Sequence, residues 1–96
     1  MRNLGDLGLT DHAAARMQQR GIRAHALEAL LDYGRVAHGP GGCDIVFFDR
    51  KAKARLKKLG GEAAREAERV SRTYAILGSD GTVVTVGHRY RRINRN

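Results

Sequence analysis

The sequence predicts an α+β domain in which two N-terminal helices pack on a small, mainly antiparallel sheet of about four strands, with a helical insertion between strands two and three. Three observations predict it. Two capped or glycine-stopped helical segments open the chain, a Ser79-Asp80-Gly81 turn near its end separates two β-rich runs, and a Lys/Arg-rich helical stretch interrupts the β-rich segments between residues 50 and 69.

Thr10 is a good N-cap for Asp11–Arg20, whose residues favour helix and which meets Gly21 as a stop. After a short connector at Ile22, the segment Ala24–Tyr33 places Ala26, Leu27, Leu30 and Leu31 at helical spacing and ends at Gly34. A short strand at Arg35–His38, a loop at Gly39-Pro40-Gly41-Gly42 and a firmer strand at Cys43–Phe48 follow, and the apolar character of both faces of the second strand places it centrally. Asp49 is positioned to cap a helix over 50–59. Gly60-Gly61 breaks it before a short fourth helix at Glu62–Arg69. Val70–Leu77 and Thr82–His88 then form a hairpin, and a two-residue Asp80-Gly81 turn would set Leu77 opposite Val84, Ala75 opposite Val86, Thr73 opposite His88 and Arg72 opposite Arg89. In that register one face is apolar toward the turn, and the other becomes cationic away from it.

The 96 residues suit one domain spanning 1–96, with 89–96 expected as a flexible basic tail. Only 5% of residues are aromatic, so the core must come mainly from Leu, Val, Ile and Ala. Cys43 is the single cysteine and cannot close an intrachain disulfide, which fits a reducing, cytoplasmic setting. No apolar run approaches the roughly 20 residues of a membrane span, and Met1–Leu9 lacks the apolar stretch of a secretory signal, so no membrane partner is expected. The charge is more informative. Eighteen Lys and Arg face ten Asp and Glu, a net +8, and these cations are clustered, which favours a polyanion as partner, RNA first.

The run Leu9–Ile22 carries His12-Ala13, Arg16, Arg20-Gly21 and Ile22 in the pattern His-Ala-x-x-Arg-x-x-x-Arg-Gly-Ile. In this it resembles an uncharacterised bacterial domain family grouped with the RelE-like and barnase-like (BECR-type) ribonuclease toxins. The closing strand Gly81–Arg89 resembles that family's last strand. The resemblance covers the first third and last quarter of the chain, and the insertion at 50–69 departs from the pattern. It implies a ribonuclease-type scaffold and, for a toxin, an antitoxin whose acidic or helical segment covers the cationic face.

His12, Arg16 and Arg20 fall at i, i+4 and i+8 and form one slightly drifting stripe on the first helix. In its first turn the helix dipole and Arg16 both disfavour positive charge, which suits His12 to the work of a general base. Metal-free RNA cleavage needs a base, an acid and cations for the phosphorus oxygens, and His12, His88, Arg16 and Arg89 supply these types if the hairpin packs beside the first helix. The bland reading of His12 as a capping or packing residue is as good, and Arg16 and Arg20 equally suit a solvated face or pairs with Glu28 or Asp32. Arg50, Lys51, Lys53, Arg55, Lys57 and Lys58 form a second cluster without an acid among them. Arg72 joins the cationic sheet face, and Tyr90 lies between Arg89 and Arg91-Arg92, an aromatic placed to stack on a base. Tyr74 and Thr85 share that face and are equally ordinary strand residues.

No His or Cys pair has zinc-ligand spacing, and Gly39–Gly42 lacks the Lys and Ser/Thr of a phosphate-binding loop, so neither metal nor cofactor is expected. A non-catalytic nucleic-acid-binding module and a protein-interaction domain that docks an acidic partner remain the alternatives.

Overall fold

Thr10 starts the first helix by offering an acceptor to a first turn whose N–H groups have no partner within the helix. Its Oγ1 accepts from Ala13 N at 3.1 Å, and α1 runs Asp11–Gln19 in the computed structural model, which describes residues 8–89. Gly21, at φ +64°, ends it, and the bond from Ile22 N to Met17 O at 2.9 Å closes a Schellman stop. The second helix, α2 (Ala24–Tyr33), buries Ala26, Leu27, Ala29 and Leu30. Its stop at Gly34 works by space, since Gly34 is extended (φ −69°, ψ 159°). A Cβ there would run into the Leu30 carbonyl and lie 2.8 Å from Val46 Cγ1.

The first strand, β1 (Arg35–His38), and the second, β2 (Asp44–Phe47), follow, joined through a tight turn at Pro40–Gly42. Asp49 then caps α3 (Arg50–Lys58), its Oδ1 accepting from Ala52 N at 2.8 Å, and Ala52 and Leu56 anchor that helix in the core. The predicted helix at Glu62–Arg69 is two pieces, α4 (Gly61–Arg65) and α5 (Ala67–Val70), because Glu66 leaves helical geometry at φ −103°, ψ 27°. The third strand therefore starts later than predicted: Val70 closes α5, and β3 spans Thr73–Leu77. The last strand, β4, is Val83–His88.

All three strand pairings are antiparallel in the order β1-β2-β3-β4, so the α+β class, the four strands and the helical insertion between the second and third stand as expected. The hairpin register agrees from Thr73↔His88 to Ile76↔Thr85, then shifts, placing Leu77 opposite Val83 instead of Val84. The turn explains the shift. Gly81 N donates to Gly78 O at 3.0 Å and Gly78 N to Thr82 O at 2.8 Å, so Ser79 and Asp80 are the central turn residues and Gly81, at φ +84°, follows them. Such a three-residue loop inserts a bulge, which the two-residue turn expected from Asp80-Gly81 does not.

Alternation along the strands sends Val46, Thr73, Ala75 and Val86 to one face, where they meet Ala13, Met17, Leu27 and Leu30 in a single buried cluster or border it. The opposite face carries Ala37, Ile45, Phe47, Tyr74, Ile76, Thr85 and Gly87. Helix α1 lies along β4, with Thr10 bonded to Val83 O (3.0 Å) and Val84 O (3.3 Å) at its start and Arg20 to Val86 O (3.1 Å) at its end. Among the described residues no helix is long and apolar enough to cross a membrane.

Candidate nucleic-acid interface

The sheet face turned away from α1 and α2 is apolar at its centre and cationic around it. Phe47 is buried there beneath Arg89, whose guanidinium carbon stands 5.5 Å from the ring centroid. Arg89 N bonds Arg72 O at 2.7 Å and its side chain donates to the Phe48 carbonyl, so this residue is anchored in the sheet, whereas the sequence placed it in a flexible tail. Burial holds its guanidinium below the ordinary value, opposed by nearby Asp49, and the group stays cationic at neutral pH.

Arg20 reaches round the β4 edge onto the same face. Gly87 makes this possible: a Cβ there would collide with the Arg20 guanidinium and stand 2.9 Å from Tyr74 Cε1. Arg35, which pairs with Phe47 across β1 and β2, meets Asp49 Oδ2 at 3.4 Å. Because the other Asp49 oxygen caps α3, the cationic helix begins where this face ends.

On α3, Ala52 and Leu56 point inward and Arg50, Lys51, Arg55, Lys57 and Lys58 are exposed. Lys51, Arg55 and Lys58, at i, i+4 and i+7, form one stripe, and no carboxylate among the described residues pairs with them. Lys53 differs: its Nζ lies 2.9 Å from Glu68, and that hydrogen bond, with the charges of Lys53, Lys57 and Arg72, holds the Glu68 carboxyl below its ordinary value. Arg72 is exposed at the start of β3.

The four residues nominated for cleavage are not brought together. Hairpin and first helix do pack side by side, yet His12 stands at the Val83 end of α1, about 12 Å along the axis from Arg20 at the other end, near His88. His12 is exposed, and its Nε2 accepts from Arg16 Nε at 3.4 Å; Arg16 also donates to Gln19 Oε1 at 3.4 Å. His88 lies on the helix side of the sheet and Arg89 on the opposite side, as the register predicts. Tyr90, Arg91 and Arg92 lie outside the described residues. Sequence reasoning passed over Arg35 and Gly87, although the alternation of β1 and a glycine inside a Val/Thr strand were the available signals.

Among the described residues no group of three or more His, Cys, Asp or Glu is arranged to hold a metal ion. No protein-family model matches the chain, and no similar protein was found among curated sequences or solved structures.

Proposed function

We propose that this chain is an RNA-binding domain whose contact surface runs from the rim of the sheet face turned away from α1 and α2 onto the exposed side of α3. The observation that carries the reading is the stripe Lys51, Arg55 and Lys58, three exposed cations that no described carboxylate neutralises, on a helix that starts beside Arg35 and Arg89. Long exposed cations cost little to leave in water, and they gain most where a phosphate chain releases its counterions to them. Tyr74, half-buried between Arg20 and the Phe47 position, offers a ring edge to a base, and Thr85 a hydroxyl to a ribose or phosphate. A protein that silences this surface would present an acidic or helical segment to it.

The test is a salt titration of binding to a labelled single-stranded RNA. Engagement of the three α3 cations alone requires the logarithm of the association constant to fall with that of salt at a slope of about −2, from roughly 0.7 per phosphate. A flat response would overturn the reading and favour an acidic protein as partner.

A further inference from the structure

The sheet ends at β1 on one side and at β4 on the other, and the described residues cover only the β4 edge. Hydrogen-bonding groups alternate along a strand, so every second residue of an outer strand turns its N–H and C=O away from the sheet. On β4 the outward carbonyls of Val84 and Val86 are taken, by Thr10 Oγ1 at 3.3 Å and Arg20 Nη1 at 3.1 Å. On β1 the bond from Gly39 N to Cys43 O at 2.7 Å fixes the alternation. Arg35 and Ala37 bond inward to β2, while Val36 and His38 turn their backbone groups outward, where no described residue meets them.

This edge is regular and apolar at its middle. The β1–β2 register runs without a shift, unlike the bulged β3–β4 hairpin, and β1 carries neither lysine nor proline, the usual guards of an outer strand. Val36 is 49% exposed, with Leu59 one of two exposed large apolar side chains among the described residues. The basic side chains beside it are occupied: Arg35 Nη1 lies 3.4 Å from Asp49 Oδ2, and His38 Nδ1 lies 2.7 Å from Asp44 Oδ1. In a chain of net charge +8, this edge therefore holds out no unpaired cation to an acidic foreign strand. It fits a strand of its own kind.

We infer that β1 pairs antiparallel with β1 of a second copy of this chain, about a two-fold axis at Val36, and joins the two sheets into one. Directly opposite residues share a face of the sheet, so the axis must pass through a residue of β1. An axis at Arg35 would set guanidinium against guanidinium, and one at Ala37 would set Val36 against the exposed His38. The axis at Val36 sets the two exposed valines together and each Arg35 opposite an Ala37. Val36 then exchanges both backbone bonds with its counterpart. His38 N–H reaches the carbonyl of Gly34, which is extended and whose own N–H is held by Leu30 O at 2.7 Å. The two α3 helices start on either side of the axis, because Asp49 ties each to its Arg35. The dimer thus gathers both cationic stripes on one particle, although the pairing itself does not depend on RNA.

Sedimentation equilibrium of the full chain, freed of nucleic acid, tests this over roughly 10 μM to 1 mM, the range in which short interfaces associate. A monomer–dimer equilibrium is expected. Because two chains of charge +8 repel, the dimer should strengthen as salt rises from about 0.1 to 1 M, which shortens the Debye length from about 10 to 3 Å. RNA binding has the opposite salt dependence, so failure of one surface is distinguishable from failure of the other. Val36→Lys and Val36→Glu each set like charges face to face across the axis and should weaken self-association about tenfold or more. Mixing the two variants should restore a dimer, an outcome peculiar to the register that puts residue 36 on its own counterpart. Should either variant fold poorly, the association of the parent chain and its salt dependence still decide. A parent chain that stays monomeric at every concentration would overturn the dimer and leave the edge to a strand of another protein. A dimer untouched by both substitutions, or a mixture no tighter than either variant alone, would overturn it as well.

Discussion

Replacing Asp49 with alanine removes a helix cap and an ion pair that meet at one carboxylate. Oδ1 caps α3 through Ala52 N at 2.8 Å, and Oδ2 meets Arg35 Nη1 at 3.4 Å. Loss of an N-cap costs about 1 kcal/mol, and an ion pair with a partner as exposed as Arg35, at 52%, adds about 0.2–1 kcal/mol. The expected cost of Asp49→Ala is therefore about 1–2 kcal/mol, a fall in Tm of roughly 5–15 °C for a domain of this size. Asp49→Asn keeps an oxygen that can cap but loses the charge, so it should cost under about 1 kcal/mol. Urea and thermal denaturation of both variants, followed by circular dichroism with the slope m checked for constancy, measure this. If Asp49→Ala were neutral, or Asp49→Asn as costly as alanine, the cap would not be what holds the start of α3, and the link between that helix and the Arg35–Phe47 face of the sheet would lose its physical basis.

Replacement of Lys51, Arg55 and Lys58 by alanine together should reduce the salt slope of RNA binding by about 2 while leaving stability within roughly 1 kcal/mol, read by titration and melting. Gly87→Ala should drive Arg20 and Tyr74 off their positions, costing about 1–3 kcal/mol and weakening RNA binding, which denaturation and titration report together. The His88 imidazole binds its proton less readily in the folded chain, so the unfolded chain takes up more protons as pH falls through the ordinary value of 6.5. Stability from this group is thus full above 6.5, declines below it, and levels off beneath the folded value. His88→Gln should flatten that part of the stability–pH curve, measured by urea denaturation at a series of pH values; an unchanged curve would show that folding does not lower the proton affinity of His88.

The elements were legible where local chemistry decides them. Thr10, Gly21, Gly34 and Asp49 each mark a helix end in the sequence and do so in the fold, because caps and stops depend on a few adjacent residues. The hairpin turn was misread by one residue, since Asp80-Gly81 suits both a two-residue turn and the Gly81 position of a three-residue one. The break at Glu66 had no sequence signal, as Glu is a good helix former and tertiary packing sets the bend. At the site, the α3 cluster was visible because six cations fall within nine residues. The grouping of His25, Glu66, Arg69 and His88 around one shallow depression was not, because they are scattered along the chain and the sheet with α2 and α5 assembles them.

The attachment of Thr10 to β4 bears on how the chain reaches this fold. Its hydroxyl bonds a carbonyl 74 positions away, whereas each strand pairs with its neighbour in sequence. Closing so long a loop is entropically dear until its target exists, so the meander can organise first and α1 dock onto it late. Thr10→Val should then speed unfolding and leave the refolding rate close to that of the parent chain, a signature that stopped-flow measurements read directly.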